Sequence, residues 1–164
     1  VRIIKYTAKI MTVCFALVLA ALVLPTAAGL RPYAVISPSM SPQINAGAVV
    51  YVKDRTFDKL AEGDVITYRP EGGGTAVTHR IIRKDIKEKA FYTKGDANAQ
   101  VDAQRVKYEN VIGAVRLSVP LLGYAALYLN GPEKKIAAAG FLVWLLVMET
   151  AAADMIKMEK EAED

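Results

Sequence analysis

A serine hydroxyl is a poor nucleophile at neutral pH unless a neighbouring base takes its proton. This chain carries a serine-rich string, Ser37-Pro38-Ser39-Met40-Ser41-Pro42, and one histidine in 164 residues, His79, within Ala76-Val77-Thr78-His79-Arg80-Ile81-Ile82. Downstream lie Thr93-Lys94-Gly95-Asp96-Ala97-Asn98 and a second carboxylate, Asp102. Serine, imidazole and carboxylate therefore occur in that order within about sixty residues, and they are the groups that acyl transfer by a hydroxyl nucleophile uses. Each also has a bland reading. Serines in a proline-rich string usually shape turns, Asp96 and Asn98 stand where Asx turns are expected, and a single histidine on an apolar strand is usually structural. One histidine and one cysteine cannot build a zinc cage, so neither a metal nor a cofactor is expected.

Taken together, these segments resemble the type I signal peptidases, in the subgroup whose general base is histidine rather than lysine, the endoplasmic-reticulum, archaeal and spore-former kind. The family stretch S-x-S-M-x-P falls on Ser37 to Pro42, G-D-[IV]-[IV] on Gly63-Asp64-Val65-Ile66, [VT]-H-R on Thr78-His79-Arg80, and T-K-G-D-x-N on Thr93 to Asn98. Each piece alone is weak, but four in the family's order behind an apolar anchor are specific, and the resemblance covers most of residues 10 to 130. It implies Ser39 as nucleophile, Ser37 as an oxyanion-supporting serine, and His79 as general base. The orienting carboxylate of the histidine-type enzymes lies six residues beyond the aspartate of the G-D pair, which is Asp102 here; Asp96 is then a supporting or loop-shaping residue. Pro38 stands where the family usually has glycine, and Ser41 where an acid is common.

The resemblance further implies the substrate and the setting. Secretory preproteins would be cut after small residues, with the catalytic domain on the extracytoplasmic face of the cell membrane and accessory membrane subunits among the partners to test for.

Those residues need elements to hold them. After Arg2, Lys5 and Lys9, the run from Ile10 to Leu30 carries no charge and is long enough to cross a hydrocarbon core, so residues 1–30 are expected to be a cytoplasmic N-terminus and transmembrane anchor. The small residues Thr26-Ala27-Ala28-Gly29 leave a removable signal peptide as the competing reading. Residues 31–116 read as the β-domain. Short β-branched or aromatic runs at 48–52, 65–68, 76–78 leading to 81–82, 90–93 and 111–115 alternate with turn residues, which predicts a small antiparallel β-barrel or folded sheet. Gly72-Gly73-Gly74 marks a hairpin loop that would put His79 on the returning strand, and Arg83 to Lys89 reads as another.

Further on, 117–135 reads as an apolar interfacial segment broken by Pro120 and Gly123, and 136–153 as a second span despite Glu149 near its end. Residues 154–164 form a charged tail. The expected fold class is thus mainly β, a small antiparallel barrel-like catalytic domain of the kind shared by signal peptidases and self-cleaving repressors, with N-terminal and C-terminal transmembrane helices.

Composition closes off other classes. The single cysteine, Cys14, lies in the apolar run, so no intramolecular disulfide can form. A net charge of +4 without a basic helix or arginine-rich stripe argues against nucleic acid, and favours solvated lysines near anionic headgroups. Two other readings stay open at this point: a non-catalytic, membrane-anchored β-domain that binds or assembles extracellular proteins, and a self-cleaving repressor, which the anchor and the lack of a DNA-reading helix disfavour.

Overall fold

The computed structural model describes residues 2–129 and 131–163. Its chain divides into two compact units, one of them Leu24–Leu127 and the other holding most of the two long helices.

In the first unit seven antiparallel strands form one sheet: β1 (Arg31–Ala34), β2 (Val49–Lys53), β3 (Val65–Tyr68), β4 (Val77–Asp85), β5 (Ala90–Lys94), β6 (Val106–Lys107) and β7 (Val111–Val119). Their order is β1-β2-β7-β3-β4-β5-β6, so β7 returns to the middle between β2 and β3. The register shifts in three pairs, between Tyr51 and Val52, Thr67 and Tyr68, and Ile81 and Arg83. Each irregularity bends its strand and adds twist. The result is the expected barrel-like architecture as a curled half-barrel. Gly113 shows why a glycine is needed near the start of β7. Its φ of 154° and the close approach of the Lys53 carbonyl leave no room for a side chain.

Two buried clusters hold the sheet. Phe57, Leu60, Ile66, Tyr68, Ile81, Phe91, Val106 and Ala114 make one. Val35, Met40, Ile44, Ala48, Val50 and Val52 make the other. Strand β1 is the terminal strand at one end of the sheet and begins Arg31-Pro32, a place where proline's missing N–H leaves no central ladder bond unmade. Beyond Ala34 the pairing with β2 continues through Val35 N–H to Ala48 O (2.8 Å) and Gly47 N–H to Val35 O (2.7 Å), which delivers the chain in fixed register to Ser37.

The expected boundary at 116 is corrected. Residues 117–119 belong to β7, because Leu117, Ser118 and Val119 pair with Tyr51, Val50 and Val49 and so satisfy their backbone in the sheet rather than at a lipid interface. Pro120 follows the strand, and Leu121 takes a left-handed φ of 62° before a short helix, α2 (Leu122–Tyr128). The hairpin loop around Gly72–Gly74 lies where expected, whereas the second is shorter than the expected 83–89 because Arg83, Lys84 and Asp85 pair with Tyr92, Phe91 and Ala90; His79 is on the returning strand β4, opposite Ile66.

The long helices are α1 (Arg2–Ala27) and α3 (Pro132–Glu163). Segments Tyr6–Ala27, 22 residues, and Pro132–Met158, 27 residues, are each long and apolar enough to cross a membrane. Helix α3 starts four residues before the expected 136, with Pro132 at a position that costs no hydrogen bond, and runs through Glu149 and most of the expected tail. Phe15 of α1 and Phe141 of α3 meet edge to face, ring centroids 5.7 Å apart.

Candidate active site

The serine loop is held by what it buries. Met40 is 1% exposed and sits in the cluster with Val35, Ile44 and Val50, so the residue after Ser39 is an anchor in the core. Turn bonds Ser41 N–H to Pro38 O (2.9 Å) and Ile44 N–H to Met40 O (2.9 Å) close the loop, using the carbonyl of the proline that lacks a donor.

His79 is held by a sheet face. Residues directly opposite in an antiparallel pair share a face, and the side-chain period is two. Ile66 opposes His79 and Tyr68 opposes Val77, while across the other edge of β4 Thr93 opposes Ile81. Tyr68, His79 and Thr93 therefore lie on one face of three adjacent strands, and all three are buried. On the opposite face Thr67 and Thr78 share a hydrogen bond of 2.8 Å.

Asp102 reaches this face from the loop of residues 95–105. Its N–H donates to Thr93 O (2.9 Å), which docks the loop back on β5. The carboxylate oxygen Oδ2 lies 2.6 Å from His79 Nδ1, and His79 Nε2 lies 3.2 Å from Ser39 Oγ. A neutral imidazole that donates through Nδ1 presents Nε2 as acceptor, the tautomer in which Ser39 can hand over its proton. Ser37 Oγ is 3.0 Å from Ser39 Oγ. The structure thus brings Ser37, Ser39, His79 and Asp102 into one hydrogen-bonded line.

Asp96 lies off that line. Both its oxygens take donors from Arg80, Nε to Oδ1 at 2.8 Å and a terminal nitrogen to Oδ2 at 2.6 Å, a bidentate pair that raises the Arg80 guanidinium pKa above its ordinary value. Arg80 also donates to the Gly63 carbonyl (2.7 Å) and to Gln43 Oε1. One guanidinium therefore ties the 95–98 turn to the start of β3 and to the serine loop. The same turn grips Ser39 directly: Ala97 N–H donates to Ser39 O (2.9 Å), and a Cβ at Gly95 would come 2.6 Å from that carbonyl.

Sequence reasoning assigned no part to Tyr68 or Thr93, yet both touch the carboxylate. Thr93 Oγ1 is 2.6 Å and the Tyr68 hydroxyl 3.3 Å from Asp102 Oδ2. Burial, partly offset by the Thr93 hydroxyl and reinforced by the charge of Asp102, pushes the Tyr68 phenol up to about 12. The period-2 pattern could have put Tyr68 beside His79 had the hairpin register been known, but the loop of residues 69–76 left it open.

A cleft of about 410 Å³ opens over the serine, lined by Tyr33 to Ser37, Ser39, Ala76 to His79 and Asn98. It is bounded by two extended segments and mostly small or apolar side chains. Among the described residues, no group of acidic, histidine or cysteine side chains is placed to hold a metal ion.

No family model matches this sequence. Signal peptidase I W of Bacillus subtilis is 44% identical over 90 residues, 53% of this chain and 47% of that protein, so the chain spans about half the length of that relative. The SEC11 catalytic subunits of the signal peptidase complexes of Zygosaccharomyces rouxii and Saccharomyces cerevisiae are 30% and 33% identical over 120 residues, 66% of this chain and 71% and 70% of theirs. With relatives of 30% and 33% identity covered over more than two thirds of their length, the chain belongs to the type I signal peptidases, of the endoplasmic-reticulum and spore-former type.

Proposed function

We propose that this protein is a membrane-bound serine endopeptidase that removes signal peptides from secretory preproteins, with Ser39, His79 and Asp102 as its catalytic groups. The observation that carries the reading is the unbroken line Asp102–His79–Ser39 ending at a cleft of about 410 Å³. Ser39 Oγ attacks the scissile carbonyl carbon while its proton passes to His79 Nε2. The tetrahedral oxyanion is met by the Ser39 N–H and the Ser37 hydroxyl, and loss of one such donor typically costs about 10²–10³ in rate. His79 then protonates the leaving amine, and water, activated by the same imidazole, frees the acyl group from Ser39. Asp102 holds the productive tautomer and stabilises the imidazolium throughout.

The apolar lining at Tyr33, Val35, Ile36 and Val77 favours small uncharged residues before the cut. The two candidate spans support membrane association, and Arg2, Lys5 and Lys9 ahead of the charge-free run that starts at Ile10 support an orientation with the β-domain on the extracytoplasmic face. Enzyme and preprotein anchored in one bilayer meet at a raised effective concentration. The SEC11 relatives are by name catalytic subunits of a complex, which supports a search for accessory membrane subunits here.

The experiment is cleavage of a radiolabelled preprotein by the full chain in proteoliposomes, with the new N-terminus of the product sequenced. One cut after a small residue is expected, lost when that residue is replaced by phenylalanine. Stable binding of the preprotein without any cut would instead favour a non-catalytic, membrane-anchored β-domain that binds or assembles extracellular proteins.

A further inference from the structure

The carboxylate oxygen that holds His79 carries more donors than a positioning contact needs. Asp102 Oδ2 is 2.6 Å from His79 Nδ1, 2.6 Å from Thr93 Oγ1 and 3.3 Å from the Tyr68 hydroxyl, and the two hydroxyls are 3.5 Å from each other. Thr93 is fully buried and Tyr68 is 7% exposed. Both stand on the rigid strands that flank β4, whereas Asp102 stands on the 95–105 loop. The loop thus carries the charge and the sheet carries the groups that fix it.

We propose that Tyr68 and Thr93 are positioning residues of the reaction, which lock the Asp102 carboxylate and draw its charge away from His79 so that the imidazole gives up its proton readily enough to act as base. The inference rests on the triad proposed above. A carboxylate whose charge is shared among three donors stabilises an imidazolium less than one whose charge falls on the imidazole alone. Removing one hydroxyl therefore lets His79 keep its proton to higher pH, while the other hydroxyl still holds Oδ2 against Nδ1. Burial keeps the Tyr68 phenol protonated, and so a donor, across the working range. The other charged groups near the cluster are the Arg80–Asp96 pair, next along β4 and in the 95–98 turn, and Arg69, Glu71 and Arg105, which line a second cavity of about 270 Å³ that also reaches Tyr68 and Asp102. None of these changes in the variants below.

His79 is the only histidine in the chain, so its ring signals need no assignment. The test is the pH titration of the imidazole carbon-bound protons by NMR in detergent micelles, using the untagged full chain, beside preprotein cleavage against pH in proteoliposomes. Tyr68→Phe and Thr93→Val should each move the titration midpoint and the acid limb of kcat up by about half a pH unit and lower kcat roughly tenfold, with KM little changed. Thr93→Ser, which keeps the hydroxyl, should restore both. Midpoints that stay at the wild-type value or move down in both variants would overturn the proposal, and should Tyr68→Phe fail to fold, the Thr93→Val and Thr93→Ser pair decides alone. Cleavage that persists in Ser39→Ala in the same vesicles would sink the triad reading, whereas the NMR midpoints report on the Tyr68 and Thr93 contacts whether or not the chain cleaves.

Discussion

At the scale of single residues, two aspartates six positions apart do different work because they face different partners. Asp102 meets an imidazole and two hydroxyls; Asp96 meets a guanidinium that bridges three backbone segments. Asp102→Asn should lower kcat by about 10³–10⁴, since an amide that donates to Nδ1 favours the wrong tautomer. Asp96→Asn should leave more activity but a looser serine loop. Cleavage assays on both, with far-UV circular dichroism as a fold control, check this, and the reverse ranking would transfer the orienting role to Asp96. Nothing in the composition or spacing of the 95–105 segment distinguished these two carboxylates. The six-residue offset of the resembling family did, because the path of an irregular loop is set by contacts such as Asp102 N–H to Thr93 O that have no local signature.

Tyr68 also makes a stability prediction with a definite sign. Its phenol ionises near 10 when unfolded and is pushed up to about 12 in the fold, so the unfolded chain loses its proton first as pH rises. The contribution is fully present below pH 10 and is lost between 10 and about 12. Thermal unfolding in micelles should show a falling Tm over that window, less steep in Tyr68→Phe. An identical slope in the variant would show that other groups account for it.

At the scale of elements, regular periodicity was readable and irregular edges were not. The runs at 48–52, 65–68, 90–93 and 111–115 lie within a residue or two of β2, β3, β5 and the first part of β7, because β-branched and aromatic residues bounded by turn residues leave little choice. β1 escaped because Arg31-Pro32-Tyr33-Ala34 is short, begins with a charge and a proline, and shows no alternation; two-residue β6 is too short to carry a pattern. The end of β7 was misplaced because Leu117 to Val119 continues directly into the apolar residues of α2, so hydropathy alone holds no boundary there. Motif glycines matter as element contacts too. Gly95→Ala would set a Cβ 2.6 Å from the Ser39 carbonyl and 2.8 Å from the Asn98 side-chain nitrogen, so either the turn or Ser39 must shift. A displacement of that kind is expected to cost about 10² in kcat while far-UV circular dichroism stays unchanged. Wild-type kcat in Gly95→Ala would show that the turn does not position Ser39.

At the scale of the whole molecule, the chain carries a curled β-domain and two helices with the length and apolarity of membrane spans. A chain so built should resist extraction by alkaline carbonate, and protease added outside sealed cells should reach the β-domain but not residues near Lys5 and Lys9. Release of a soluble chain starting near Gly29 would show that α1 is a removable signal, and protection of the β-domain from outside would reverse the orientation. The long apolar helix near the N-terminus was legible from its charge-free run; its limits and the extension of α3 past residue 153 were not, since a helix persists beyond an apolar stretch wherever its polar residues favour helix.

The central claim is that Ser39 and His79 act as one unit in peptide-bond hydrolysis. Its most direct test is kcat/KM for one preprotein in proteoliposomes with wild type, Ser39→Ala, His79→Ala and the double variant. Each single change should abolish cleavage to within about the same factor, and the double variant should be no worse than either, because a nucleophile without its base and a base without its nucleophile are equally idle. A single variant that cleaves near the wild-type rate, or a double variant whose loss is the product of two independent partial losses, would contradict the account.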